Sequence, residues 1–265
     1  MMTSKRIYFI SIVIIVLLLI FWSCKKSNPL DPVLYDYGEV NDTTLVLAGA
    51  IIIDNPFGAT TIMGDVTETS ILLNRHKLVK AENSRIAESY YPKMSFTVMR
   101  NGDTIYISTT APEETKDVKP FTNIGITMPA AVRPVVKNAR NNVTLYYVSS
   151  TCLIENAHSN ITLIEHDGSC DVHTTNGKIS IETIIPTTGF CRATSGSGDI
   201  ILNIPLYTSA RVDAMTKNGS VTVSPDLSFI SEQNDGNVLT GTLLDGSAEI
   251  YLRTNAGNIN LIGFN

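Results

Sequence analysis

Asp171 and Asp213 are the two carboxylates whose spacing best fits acid and base chemistry on a polymeric substrate. They fall in one column of a sequence repeat and are two repeat units apart, which corresponds to roughly 9–10 Å if successive strands stack about 4.8 Å apart. That separation is near the upper limit for the carboxyl pair of an inverting glycosidase. Arg192 falls between them in the same column and is expected to hold both ionised, whereas a general acid needs a raised pKa. The pair therefore supports a carbohydrate-active β-helix enzyme only as an alternative hypothesis.

Three of the four cysteines, Cys152, Cys170 and Cys191, share a second column, with spacings of 18 and 21 residues. One interpretation is a metal-thiolate site or a disulfide between one neighbouring pair, which an exported chain could form. The other is a buried column of small apolar side chains, because free cysteine packs as a small hydrophobic residue. We favour the second, since three cysteines leave one unpaired and these spacings match no zinc motif.

The histidines and the glycine-containing turns are weaker candidates for metal binding or catalysis. His158, His166 and His173 occupy different points of their repeats, which favours solvated turn histidines over a metal cluster. The sequence has no G-x-S-x-G nucleophile motif, and the turn at Gly196–Gly198 leads into no helix that could receive a phosphate. The sequence thus implies no cofactor and no established catalytic residue.

These side chains are positioned by a repeat that runs from Asn141 to Asn265. Each unit is a turn followed by an alternating strand, and the apolar residues that open the strands are Val143, Ile161, Ile179, Ile200, Val221 and Ile259. The steps between them are 18, 18, 21, 21 and 38 residues, the last being close to two units. A period near 20 is the signature of a solenoid. We predict an all-β, single-domain β-solenoid, similar to a parallel β-helix, with about 18–21 residues per rung.

The alternation assigns the faces of each rung. Two residues after the opening position the column is aliphatic throughout, as an inward position requires (Leu145, Leu163, Ile181, Leu202, Val223 and Leu261). Two residues before it the column holds Asn, Ser or Gly, which suits a corner that needs positive φ. A second strand precedes each corner, and its inward residues are Ile154, Val172, Ala193, Ala214 and Leu252.

The outward column of the opening strands is the candidate binding surface. It is uncharged and rich in hydroxyl groups, and its polar members are Thr144, Thr162, Ser180, Thr222 and Asn260. On the second strand, Asp171, Arg192 and Asp213 are expected to alternate in sign on successive rungs, as a charge ladder that stabilises modestly.

The first half of the domain, residues 45–129, is less regular than residues 130–265. Leu45–Leu47, Ile51–Ile53, Thr61–Met63 and Ser70–Leu73 are expected to be the first rungs. The composition of Lys80–Ser89 predicts a short helix. Asn101-Gly102 between alternating runs predicts a hairpin from Met94 to Ile107, and Ala111–Phe121 is expected to be an exposed loop.

The N-terminus carries an export signal. Lys5 and Arg6 precede the apolar run Ile7–Trp22, whose 16 residues are short for a spanning helix. Ser23-Cys24 at its end resembles the lipobox of bacterial lipoproteins, although Phe21 and Trp22 stand where small or aliphatic residues are usual. The resemblance implies a signal peptide over residues 1–23, lipidation of Cys24, a tether over residues 24–44 and the folded domain over residues 45–265. The alternative is a retained N-terminal membrane helix, and both place the domain outside the cytoplasm, tethered to a membrane.

Composition excludes one class of partner. Removal of Lys5 and Arg6 changes the formal charge from −5 to −7, and nothing in that balance favours nucleic acid. Abundant Thr, Ser, Asn, Ile and Val with few aromatic residues is typical of β structure.

Four phrases of the repeat carry a resemblance to a known family: Thr174–Ile181, Ala193–Leu202, Thr216–Val223 and Arg253–Leu261. They resemble the bacterial "putative adhesin" domains of unknown function, which are repeat-built β-solenoids of envelope lipoproteins. The resemblance covers most of Leu45–Asn265 and implies no catalytic residue, and a likeness of fold does not settle function.

We therefore expect a lipid-anchored protein of the bacterial cell envelope, on the periplasmic face or the cell surface, with a non-enzymatic solenoid that binds a glycan or protein or serves as a spacer. The alternatives are the carbohydrate-active enzyme and an envelope sensor or regulatory partner.

Overall fold

The computed structural model describes residues 32–36, 43–138 and 140–265. Two eleven-stranded sheets face each other across one apolar core, and most neighbouring strands in each sheet run parallel. The chain passes from one sheet to the other at each corner, so the predicted all-β solenoid is confirmed. We call the two sheets the front sheet and the back sheet.

The front sheet carries the candidate binding surface. Its strands are β1 (Val33–Asp36), β2 (Thr43–Leu45), β4 (Thr60–Asp65), β5 (Ile71–Ala81), β8 (Lys119–Pro129), β10 (Val143–Tyr146), β12 (Ile161–Asp167), β14 (Ile179–Ile184), β16 (Ile200–Pro205), β18 (Val221–Val223) and β22 (Ile259–Phe264). Their spatial order is β1-β5-β8-β4-β10-β12-β14-β16-β22-β18, and β2 pairs with β5.

The back sheet carries the aspartate and cysteine columns. Its strands are β3 (Ala50–Asp54), β6 (Ser95–Asn101), β7 (Thr104–Thr110), β9 (Arg133–Asn138), β11 (Cys152–Asn156), β13 (Cys170–Asn176), β15 (Phe190–Ser197), β17 (Ala210–Asn218), β19 (Phe229–Asn234), β20 (Val238–Leu243) and β21 (Ala248–Ala256). Their order is β19-β20-β17-β21-β15-β13-β11-β9-β3-β7-β6.

The rungs do not stack in the order of the sequence. The last rung, β21 with β22, is inserted between β15/β16 and β17/β18, so Ile200 pairs with Ile259 and only then does Ile259 pair with Val221. At the other end the first rung, β3 with β4, lies between β7/β8 and β9/β10. The expectation that Val221 follows Ile200 directly is therefore wrong. Both rungs nearest the chain ends have a parallel neighbour on each side.

The core consists of the inward columns that the alternation predicts. Ile154, Val172 and Leu252 on the back sheet are fully buried, as are Leu145 and Ile181 on the front sheet. Because parallel strands keep one register through the stack, each column places similar aliphatic side chains directly above one another. A second, smaller cluster of Val79, Ala81, Ala87, Met94 and Val118 lies apart from this core.

Four of the corners before the front strands, at Gly177, Gly198, Gly219 and Gly257, require glycine because successive rungs approach very closely there. A Cβ at Gly198, where φ is 145°, would lie 2.2 Å from the Gly177 carbonyl oxygen. At Gly257 the corresponding distance is 2.4 Å to the Gly198 oxygen, and at Gly219 it is 2.0 Å to the Gly257 oxygen. No side chain fits at such separations, so these corners can close only with glycine.

Buried hydroxyl and amide groups tie each corner to the next rung. Three residues before the corner, an inward side chain donates a hydrogen bond to the corner carbonyl of the neighbouring rung. These donors are Asn156, Thr174, Ser195, Thr254 and Thr216, with donor–acceptor distances of 2.8–3.3 Å. The bonds satisfy buried polar groups that would otherwise destabilise the core.

The irregular first half covers one end of the stack. β5 runs antiparallel to β8, so the segment expected to be a rung at Ser70–Leu73 belongs instead to a covering strand. The predicted hairpin is confirmed, with β6 antiparallel to β7 and Gly102 at φ 58° in its turn. Helix α1 spans Ser84–Tyr90, shorter than predicted, because Lys80 and Ala81 end β5 and the Asn83 side chain caps the helix at Ile86 N. The loop after β7 ends at Lys119, where β8 begins, earlier than predicted.

Part of the predicted tether is folded. β1 and β2 lie within residues 24–44 or at their boundary, and both pair antiparallel with β5, so the folded unit begins before Leu45. The predicted signal peptide of residues 1–23 and the lipidation candidate Cys24 lie outside the described residues. Within the described part of the chain, no helix has the length and apolar character needed to cross a membrane.

Substitution of a corner glycine should destabilise the fold more than substitution of a glycine within a strand. We expect Gly198→Ala to lower the free energy of unfolding by more than about 2 kcal/mol, because the new Cβ collides with a backbone oxygen and the residue must keep a left-handed φ. Urea denaturation followed by circular dichroism measures this. Gly125→Ala is the matched control, since its Cβ would meet only the Asn74 Cβ at 3.6 Å. Equal stability of the two variants would contradict this account of the corners.

Candidate functional site

The outward face of the front sheet brings the five predicted binding residues into one column. In spatial order the column reads Asn74, Gly125, Thr61, Thr144, Thr162, Ser180, Ile201, Asn260 and Thr222. We call these nine residues the front strip. Eight steps between strands give it a length of about 38 Å. The sequence placed Thr222 before Asn260, whereas the inserted rung reverses these two positions.

The front strip contains no charged side chain. Thr61 and Thr222 are exposed, and Thr144, Thr162 and Ser180 are half-buried between neighbouring side chains. Thr222 donates a hydrogen bond of 2.7 Å from Oγ1 to Asn260 Oδ1, which fixes the outer end of the strip. A surface of this kind presents hydroxyl and amide groups at the spacing of the strands, without the cost of desolvating a charge.

A groove that the repeat pattern does not predict interrupts the strip at Gly125. At this residue without a side chain, a space of about 380 Å³ lies between β4, β8 and β5. Thr61 and Asn74 border the groove within the strip, and the exposed side chains of Met63 and Leu72 flank it on either side of Thr127. The groove depends on the antiparallel pairing of β5 with β8, which the repeat pattern did not predict.

The aspartate pair is not brought together. Asp171 and Asp213 are separated by Arg192 and Tyr251, three strand steps, because β21 is inserted between β15 and β17. This corresponds to about 14 Å, beyond the range of a glycosidase pair. The expected register is therefore wrong for this column, and the acid/base hypothesis loses the proximity on which it depended.

The expected charge ladder is replaced by two separate ion pairs. Arg192 makes a bidentate contact with Glu249, with distances of 2.9 and 3.2 Å, and the hydrogen bond from Arg192 lowers the pKa of Glu249. Asp213 accepts a hydrogen bond of 2.5 Å from Arg253. Both pairs lie on the outer surface, where such contacts contribute little stability.

The cysteine column has the predicted position. Cys152, Cys170 and Cys191 are fully buried on adjacent strands, and the Cys170 and Cys191 sulfurs are 3.4 Å apart as free thiols. Burial raises the pKa of Cys152 well above its usual range, and the hydrogen bond with Cys170 together with burial does the same for Cys191. Protonated thiols of this kind pack as small apolar groups and are poor metal ligands. No cluster of metal-binding side chains occurs in the described ranges.

One of the three histidines differs from expectation. His158 and His173 are exposed, but His166 is buried in a bulge of β12 next to Glu165, whose φ is 49°. The His166 ring contacts Thr183 Oγ1 at 2.9 Å through Nδ1 and the Ser150 carbonyl at 3.0 Å through Nε2. The three rings are not assembled into one site. The sequence did not reveal the burial of His166, because the bulge breaks the alternation that assigned the faces.

The matching family model covers mainly the regular half of the domain, whereas the similar solved structures align with most of the chain. Residues 135–262 match the family model described as Toastrack DUF4097. No curated protein matches the chain. Among solved structures, a putative cell adhesion protein from Clostridium sporogenes aligns with a TM-score of 0.47 and 11% sequence identity, over 85% of this chain and 100% of that one. A putative adhesin from Bacteroides fragilis aligns with a TM-score of 0.38 and 10% identity, over 87% of this chain and 97% of that one.

The burial of His166 predicts a loss of stability in mild acid. Burial lowers the pKa of His166 below its ordinary 6.5, so the unfolded chain binds more protons than the folded chain as the pH falls below that value. The free energy of unfolding should therefore decrease from about pH 7.5 to about pH 5.5, and by less in His166→Gln. Urea titrations at both pH values measure the difference. His173→Gln, which changes an exposed ring, should behave as the wild type, and an unchanged pH dependence in His166→Gln would contradict the assignment.

Proposed function

We propose that the protein is a non-enzymatic, lipid-anchored envelope protein whose solenoid binds a partner along the front strip. The match of residues 135–262 to the Toastrack family model agrees with the predicted "putative adhesin" repeat architecture and is the premise of this proposal. The observation that carries the proposal is the in-register column of nine residues on nine strands, seven of which carry a hydroxyl or amide group. An array of constant spacing suits an extended, repeating partner such as a glycan chain or a polypeptide segment, because each strand can offer an equivalent contact.

The groove at Gly125 gives the front strip a place where a ligand can be held more deeply. Met63 and Leu72 expose 42% and 39% of their surface beside it, so apolar contact is available next to the hydroxyl groups. Ligand sites combine an apolar lining with a few polar groups that fix orientation. A partner anchored at the groove would continue along Thr144 and Thr162 towards Asn260.

The anchor is proposed at Cys24 on the basis of the export signal and the residues around the cysteine. β1 lies at the edge of the front sheet, next to β5, at the end of the stack that carries the hairpin. Val33 is nine positions after Cys24, and an extended chain of that length reaches about 30 Å. A lipid on Cys24 would thus keep this end of the solenoid near the membrane, with the remainder of the front strip accessible to partners in the envelope or outside it.

Substitution of a central strip residue tests the binding surface. The full chain, purified in detergent, is screened against glycan and protein arrays and against isolated envelope fractions. For any partner found, we expect Thr162→Arg to weaken binding at least tenfold, because a long charged side chain in the middle of the strip prevents close contact. Thr240→Arg is the matched control, an outward, half-buried threonine of the back sheet. The proposal fails if no component binds, or if the two variants bind equally well.

The anchor is tested separately. Metabolic labelling with a fatty-acid analogue should mark the wild type and not Cys24→Ser, and the variant should be released from the membrane fraction. Labelling of Cys24→Ser to the wild-type level would show that the lipid, if any, is attached elsewhere.

A further inference from the structure

A pocket at the corner between the two sheets is distinct from the front strip. It has a volume of about 380 Å³ and lies where β3, β9 and β11 turn towards the front sheet, beside the loop that precedes β8. Its lining includes two prolines and the side chains of Phe57, Glu114, Lys119, Phe121, Arg140 and His158. This volume is within the range of small-molecule sites. We call it the corner pocket.

The aromatic wall of the corner pocket is held rigidly by a buried asparagine. Asn55 is fully buried, and its Nδ2 donates to the carbonyl oxygens of Gly58 and Thr122 at 3.0 and 2.9 Å. Its Oδ1 accepts a hydrogen bond of 2.7 Å from Thr109. Thr122 N in turn donates to the Phe57 carbonyl, which ties the segments carrying Phe57 and Phe121 to each other. The backbone segments that carry the two rings are thus held together before any ligand binds, which reduces the entropic cost of binding.

The polar wall carries a net positive charge. Glu114 lies 2.8 Å from Lys119 Nζ and 3.2 Å from Arg140, and its hydrogen bond to Lys119 lowers the pKa of Glu114. One carboxylate thus stands against two cations, which leaves an excess of one positive charge. Lys119 still has donor capacity, since an ammonium group has three N–H bonds.

The ring of His158 lies in the same wall, and the Asn176 side-chain amide nitrogen is 3.1 Å from its Nδ1. The corner pocket therefore combines cationic side chains and an imidazole with two aromatic rings and two proline rings. Such a set suits a ligand with a carboxylate on a ring that has an apolar face.

We propose that the corner pocket binds an acidic sugar residue, with the sugar carboxylate on Lys119 and Arg140 and the C–H face of the ring against Phe57 and Phe121. The alternative carboxylate ligand is the C-terminus of a peptide. Sites for peptide termini commonly use backbone N–H groups, whereas the corner pocket offers side-chain donors and ring faces. The sugar is therefore the better match, and the proposal does not depend on the function of the front strip.

Saturation-transfer NMR on the full chain in detergent tests the proposal with glucuronate, glucose and N-acetylalanine as probes. We expect glucuronate to receive saturation and glucose to receive much less, because glucose lacks the carboxylate. Binding should weaken as salt is raised from about 0.05 to about 0.5 M, since the contact is between exposed charges. Equal saturation of glucose and glucuronate would overturn the proposal, and so would a stronger signal from N-acetylalanine, which would identify a peptide terminus instead.

A pair of lysine variants locates the site. Lys119→Gln should weaken glucuronate binding about tenfold, the effect expected from loss of one charge-assisted hydrogen bond. Lys116→Gln removes the same charge from the loop that precedes β8, outside the pocket lining, and should bind as the wild type. Thr162→Arg should also bind glucuronate normally, which separates this result from that of the front strip. If Lys119→Gln binds as the wild type while its circular dichroism is unchanged, the corner pocket is not the site.

Discussion

Close approach between the corners of successive rungs constrains the whole solenoid. At Gly198 and Gly257 the backbone of one rung comes so near to the next that any Cβ would overlap a carbonyl oxygen. The same corners are held by buried hydroxyl groups, since Thr216 donates to the Gly257 carbonyl and Thr254 donates to the Gly198 carbonyl. These contacts fix the position and register of the corner relative to the neighbouring rung. The column of each residue in the following strand is then set by its distance in sequence from the corner. The alignment of the core, the front strip and the cysteine column all follow from this local contact.

The insertion of the first and last rungs changes what the chain ends contribute. In a solenoid stacked in sequence order, the end rungs have one neighbour each and fray most readily. Here β22 is bonded to β16 on one side and β18 on the other, and β4 is bonded to β8 and β10. Antiparallel strands extend the parallel stack at three of the four sheet ends, through β5 with β1, β7 with β6, and β20 with β19, whereas β18 ends the front sheet in parallel pairing with β22. The arrangement requires pairing between strands distant in sequence, which slows folding in return for protected ends.

The sequence correctly predicted which side chains share a column, but not the order in which the rungs stack, and the reason is physical. Alternation and the corner spacing assign each side chain to a face, and Cys170 and Thr144 are found where the pattern placed them. The order of rungs is not encoded in that pattern, because Ile200 can pack equally well above Val221 or Ile259. What decides between them is the path of the connecting segments, here the excursion through β19 and β20 that leaves space for β21 and β22. His166 was missed for a different reason, because a single bulge exchanges inside and outside over a few residues.

The difference between predicting columns and predicting rung order determines which functional hypotheses agree with the structure. A site built within one column on consecutive strands, such as Thr144 with Thr162, depends only on the repeat and is robust to errors in rung order. A site that joins residues from rungs far apart, such as Asp171 with Asp213, depends on rung order and is lost when one rung is inserted. The groove at Gly125 and the corner pocket belong to a third kind, since both arise where the irregular first half adds a strand or a loop to the stack. A ligand can be held at one defined position only where the stack departs from uniformity, because identical rungs offer identical contacts. The irregular first half forms the groove at Gly125 and the corner pocket, whereas the regular half forms a long surface with constant strand spacing.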